Sequence, residues 1–145
     1  MIKDGIKIKG SIHIVVYDED MNVKQNLDYN NLVVSVGKNY IANRMTSNAT
    51  GIMSHMALGT TNSAPVISET TLGNEVGRVV LDSADVTNNV IAYVATFPAG
   101  VATGAIKEAG IFNANSSGVM LNKAQIDVTK APSDTIVVSL NLVIQ

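Results

Sequence analysis

The chain has 145 residues, enough for one domain with a real core, of which 46% are hydrophobic and only 15% charged. Ten basic and twelve acidic residues leave a net charge of −2, with no basic patch and few aromatics, so neither phosphate neutralisation nor base stacking is supplied and no nucleic-acid binding is expected. Cysteine is absent, which excludes disulfides and thiolate zinc sites; no stretch approaches the ~18 apolar residues of a membrane span, and the first residues lack the apolar run of a signal peptide.

Average domains carry about 25% charged residues, so Asn, Thr and Ser must cover much of this surface. That suits a β-rich protein with a short-chained polar exterior, and equally a subunit covered by neighbours. The expected setting is a cytoplasm, with no membrane partner, followed by assembly.

Residues 6–16 alternate apolar and polar, a period of two that predicts a half-buried strand bent at Gly10. Asp18-Glu19-Asp20 makes an acidic turn, and Met21 to Leu27 returns as a hairpin partner. Leu32–Val36 is a short apolar run, Ser35 is a candidate helix cap, and residues 36–46 form the one predicted helix, ended by the turn residues 47–51. Residues 56–60 read as a short buried strand and 60–71 as a polar loop. A strand starts at 78–81, Asn88-Asn89 is a turn, and 90–97 is a strong strand rich in β-branched and aromatic residues. Strands follow at 105–112, with Glu108 awkwardly placed inside, at 119–126 and at 135–144, separated by turn clusters. About eight short strands and one helix predict a single mainly β domain over 1–145, an antiparallel β-sandwich of jelly-roll type, with residues 1–5 as an extended N-terminal arm.

The chemistry-bearing residues are few. His13 sits mid-strand opposite the apolar face and reads as solvent-facing; His55, beside Met53 and Met56, reads as structural. No Gly-x-Ser-x-Gly elbow or His-Glu-x-x-His motif occurs. Asp18-x-Asp20-x-Asn22 opens like a calcium loop, but Val23 replaces the glycine at its sixth position and Tyr29 the glutamate at its twelfth, so a hairpin turn is the better reading. Gly73 to Arg78 lacks the lysine of a phosphate loop, and Glu69 and Glu75 are carboxylates that sequence alone does not place in one cleft. No metal or cofactor site and no enzymatic activity are expected.

Three blocks point elsewhere: Leu32-Val-Val-Ser-Val-Gly37-Lys-Asn-Tyr40-Ile-Ala-Asn-Arg44-Met45; His55-Met-Ala-Leu-Gly59-Thr60-Thr61 with Ser68-Glu69-Thr70-Thr71-Leu72-Gly73-Asn74-Glu75-Val76-Gly77-Arg78; and Ile106-Lys107-Glu108-Ala109-Gly110-Ile111-Phe112-Asn113 with Gly118-Val119-Met120-Leu121. In this order, with the alternating strand 134–144 behind them, they resemble small structural proteins of tailed-phage virions. The resemblance implies a β-sandwich or jelly-roll domain that assembles on the particle as a homotrimer, with the major capsid protein or other virion proteins as partners. Such proteins are capsid decoration (cement) proteins or tail-fibre proteins. The compact chain, lacking a repetitive shaft or coiled coil, favours decoration, with a tail-associated role in host attachment as the alternative.

Within these blocks the expected contributions are structural. Glu75 and Arg78 are three apart and would pair on a helix. Glu108, if buried, needs a partner such as Arg78, Arg44 or a cluster of backbone N–H groups, and Glu108 and Arg78 are expected to pin the long loop to the sandwich. The stretch Thr60-Thr61-Asn62 opens that loop, which, with the N-terminal arm, is the segment expected to reach neighbours.

Overall fold

The computed structural model describes residues 5–48 and 50–145. Among these residues nine antiparallel strands form a single curled sheet of order β4-β3-β7-β8-β2-β1-β9-β6-β5, accompanied by one helix, so the mainly β, sandwich-like architecture read from the sequence is present.

Strand β1 (Ile8–Tyr17) buries Ile12, Ile14 and Val16 and leaves the intervening side chains outward, as its period of two requires. It turns at Asp18, whose Oδ1 accepts the N–H groups of Asp20 (2.9 Å) and Asn22 (2.8 Å). This Asx turn is why the acidic triplet reverses the chain, with Met21 at φ 62°. The return strand β2 (Val23–Val33) runs well past Leu27. It pairs with β1 as far as Asn31 and then, through Leu32 and Val33, with β8. That change of partner carries the sheet from one layer to the other.

Helix α1 (Ser35–Arg44) replaces the expected 36–46, and Ser35 does not cap it. Val34 holds the cap position in extended conformation with no side-chain bond, and the Ser35 N–H donates to the Ile67 carbonyl (2.8 Å). The helix start is therefore satisfied by a distant loop, which local sequence does not encode. Gly37 lies so close to β8 that a Cβ there would sit 2.0 Å from the Leu121 carbonyl oxygen.

Strand β3 (His55–Gly59) is followed by the loop 60–74 and by β4 (Glu75–Val80), which begins earlier than expected and stops before Leu81. The edge strand β5 (Ser83–Thr87), mostly exposed, was not separable from the sequence because it lacks apolar alternation. Asn88 (φ 54°) and Asn89 turn it into β6 (Val90–Phe97). Strands β7 (Gly104–Phe112) and β8 (Met120–Lys130) form a hairpin, and β9 (Thr135–Ile144) pairs with β1 along its whole length, joining the two ends of the described chain. Of the arm expected at residues 1–5, only Gly5 is among the described residues.

The main core lies between the two halves of the curled sheet. It joins Ile12, Ile14 and Val16 to Ile136, Val138 and Leu140 on one side and to Met56, Leu58, Ile106 and Ile111 on the other, with Phe97 fully buried. A smaller apolar cluster of Val34, Ala57, Leu72, Phe112 and Met120 lies apart from it.

Candidate functional site

Two register breaks build the outer face of the β4-β3-β7-β8 half. Leu58 faces Gly77 but Gly59 faces Glu75, so Val76 is an extra residue in β4. It places Glu75 and Arg78 opposite Gly59 and Ala57, on one face of a strand. The pair predicted for a helix thus forms on a bulged strand. A second break, between Ile106 and Glu108, interrupts the alternation of β7. Ile106 enters the main core, whereas Glu108, two residues on, lies opposite Gly59 beneath the loop 60–74.

Glu108 is wholly buried, and its carboxylate closes the neck of that loop. Oε2 accepts the N–H groups of Thr61 (3.1 Å) and Asn74 (2.8 Å), and Oε1 accepts that of Gly73 (2.7 Å). The neck is doubled by the Thr60 N–H to the Asn74 carbonyl (3.0 Å) and by the Asn74 Nδ2 to Thr60 Oγ1 (2.7 Å). Gly59 permits this approach, since a Cβ there would meet Glu108 Oε2 at 2.4 Å.

Lys123, on β8 and equally buried, places its Nζ 3.4 Å from Glu108 Oε1 and 2.6 Å from Glu69 Oε1. Glu69 also accepts the Val66 N–H (2.7 Å), so the ammonium sits between a carboxylate of the sheet and one near the loop tip. Gln125 Nε2 donates to Asn62 Oδ1 (2.9 Å), and Leu72 plugs the smaller apolar cluster. Glu108 therefore holds the loop through backbone N–H groups and Lys123, without Arg78. Arg44, exposed on the helix, donates instead to the Thr50 carbonyl (2.8 Å).

Arg78 serves a different loop. Its Nε and Nη2 grip Glu75 at 2.9 and 2.6 Å, its Nη1 donates to the carbonyls of Ala114 and Ser117 (both 2.9 Å), and its guanidinium lies 3.9 Å over the Phe112 ring. Bidentate pairing and stacking are what a planar guanidinium does and an ammonium cannot. Arg78 ties the β7–β8 turn to the edge strand rather than the 60–74 loop to the sandwich, which corrects the expected Glu108–Arg78 pair.

Burial alone would raise the pKa of Glu108. The N–H groups of Asn74, Gly73 and Thr61, with the Lys123 charge, outweigh it and hold the carboxyl below its usual range. At Glu69 burial also opposes ionisation, and the Lys123 bond, the Val66 N–H and the Lys123 charge overcome it. At the opposite end of the molecule Asp134 is depressed by Lys24, whose Nζ lies 2.8 Å away, and by the Ala131 N–H.

No family model matches this chain, and neither a curated protein nor a solved structure does.

The two histidines are modest features. His13 Nδ1 bonds Asp28 Oδ1 (2.7 Å) directly across the β1–β2 pair, and His55 Nδ1 bonds the Ser54 hydroxyl (2.8 Å). Among the described residues no three acidic or histidine side chains are grouped to hold a metal ion, and no helix is long and apolar enough to cross a membrane. The sequence reading missed Lys123 as Glu108's partner. The signal was there: a lysine inside the apolar run of β8, matching a glutamate inside that of β7.

The arrangement fixes the loop at two points. Clamped at neck and middle, the loop presents Val66 (53% exposed) and Ile67 (45% exposed) as a fixed apolar tip. Loop entropy that binding would otherwise have to overcome is removed in advance.

Proposed function

We propose that this chain is a structural virion protein, a capsid decoration (cement) protein that bridges neighbouring major capsid subunits and works as a homotrimer. The observation that carries the reading is the preorganised tip of the 60–74 loop, an exposed apolar pair held through the half-buried Glu69 to a buried Glu108–Lys123 pair. Buried charge of this kind is a costly way to gain stability and a good way to specify one conformation, here of a surface loop. A cement protein acts through contact area, and a rigid surface gains affinity without chemistry. The low charge and Asn/Thr-rich exterior suit contacts shared with neighbours. The ordered resemblance to tailed-phage virion proteins supplies the setting.

The test is add-back. Capsids lacking this protein gain heat resistance when it is supplied, and the doubly substituted Val66→Asp, Ile67→Asp protein, folded as judged by circular dichroism, fails to bind them. Counting copies per particle by quantitative mass spectrometry separates shell from tail: hundreds mark a decoration protein. Copies numbering a few to dozens would replace this reading with a tail-associated role, and capsids indifferent to add-back would remove it.

A further inference from the structure

Most cations of this protein are committed to internal partners. Lys24 pairs with Asp134, Lys107 with Asp127, Lys123 with Glu69 and Glu108, and Arg78 with Glu75, while Lys130 donates to the Pro98 carbonyl and Arg44 to that of Thr50. Among the described residues the exceptions are Lys7, Lys9 and Lys38, which have no carboxylate partner. All three are exposed, and they line two adjoining clefts, of about 380 and 490 Å³, where β1 begins beside α1. The larger cleft is lined by Lys7, Lys9 and Lys38, the smaller by Lys9 and Lys38 with Asn31. Asn31 is packed so closely over Gly10 that a Cβ there would meet its Oδ1 at 1.8 Å. Both amide atoms of Asn31 are buried without a hydrogen-bond partner. Three uncommitted lysines at two adjoining clefts form a receptor for carboxylates.

The complementary surface lies on the same molecule, beyond its own reach. Asp18, Glu19 and Asp20 have no cation partner and cap the other end of β1, a ten-residue strand, so roughly 30 Å separates turn from cleft. The other described carboxylates without a cation partner, Asp82 and Asp85, lie apart from each other at the β5 edge, not in a run. Apolar groups frame both surfaces: Ile6 (80% exposed) at the cleft, Met21 and Val23 (each 59% exposed) beside the turn. Charge and apolar surface therefore match end to end along β1.

We infer that the partner of the Lys7–Lys9–Lys38 cleft is a second copy of this chain, which inserts its Asp18–Asp20 hairpin turn head to tail. The two contacting surfaces differ, so the contact is heterologous and repeats from copy to copy, closing into a ring where the rotation allows. Asp18 keeps its role in the turn through Oδ1, and Glu19 and Asp20 supply the free carboxylates. The inference concerns self-association alone and stands or falls independently of capsid binding.

Sedimentation equilibrium of the whole chain tests it. The protein associates at low ionic strength and dissociates as salt shortens the screening length to a few ångströms, about 3 Å at 1 M. Lys7→Glu with Lys9→Glu, or Glu19→Lys with Asp20→Lys, weakens association at least about tenfold, because like charges now face each other. These positions are exposed, so the variants keep the parent's circular dichroism and melting temperature. The variant carrying all four reversals associates again, an outcome that a merely structural effect of either pair would not produce. A parent that stays monomeric up to its solubility limit overturns the inference. So does association untouched by the reversals, or a cleft that takes up inorganic phosphate while the chain remains a monomer.

Discussion

Glu108 on β7 and Lys123 on β8 lie 3.4 Å apart, both with no solvent exposure, at a point where two strands, a surface loop and a second carboxylate meet. Lys123 connects the sheet-borne Glu108 to the loop-borne Glu69, and Glu108 in turn gathers three N–H groups from both sides of the loop neck. Loss of Lys123 leaves the buried Glu108 without a counter-charge, where an unpaired charge is costly, whereas loss of either carboxylate leaves Lys123 with one partner.

Glu108→Gln keeps the shape and removes the charge. Both oxygens of Glu108 accept N–H groups, so an amide must turn its NH2 toward a donor, and Lys123 loses one counter-charge. A loss of about 3 kcal/mol in folding free energy is expected from urea titration. Hydrogen exchange at the Thr61, Gly73 and Asn74 amides accelerates more than exchange in β1 and β9.

Acid loosens the same site. The carboxyls of Glu69 and Glu108 are held below their ordinary value of 4.5, and that of Asp134 below 3.8. Between each folded pKa and its unfolded value the unfolded chain binds more protons, so stability falls as pH falls through that window. Urea midpoints measured from pH 7 downward should stay level until about pH 5 and then decline. In Glu108→Gln the decline is shallower, because one of the depressed groups is gone.

Arg78→Lys retains the charge and gives up the fork. The bond pair to Glu75, the two carbonyl contacts and the ring contact with Phe112 cannot all be met by one ammonium. A cost of about 2 kcal/mol is expected, with faster amide exchange in the 113–118 turn as the local signature.

Gly37→Ala sets two effects of opposite sign against each other. Alanine improves helix propensity by about 1 kcal/mol. The new Cβ, however, would sit 2.0 Å from the Leu121 carbonyl oxygen, a backbone atom that moves only with β8. The clash wins, and thermal melting shows a net loss of about 1–3 kcal/mol, the usual scale of overpacking.

Strands with clean alternation were legible in the sequence, and β6 and β9 begin and end where the pattern says. The edge strand β5 was not, because an exposed strand of Ser, Ala, Asp, Val and Thr carries no two-fold apolar signal. Glu108 announced itself as a charge inside an apolar run, and its need for N–H donors followed from burial cost. Its true partner Lys123 and the Glu75–Arg78 pairing depended on register breaks, which arise from packing between strands distant in sequence. The cap of α1, supplied by Ile67, is invisible locally for the same reason.

The pairing of β1 with β9 has a consequence for how the molecule is made. Ile8–Tyr17 leaves the ribosome before the other described strands, yet its partner is Thr135–Ile144, the last of them. Until that last segment appears, β1 has only its hairpin mate β2, and β6 lacks the strand that joins it to β1. Contacts this distant in sequence form slowly and leave strand edges uncovered meanwhile. A chain stalled before residue 135 is therefore an aggregation hazard, and the emergence of Thr135–Ile144 is the event that closes the sheet.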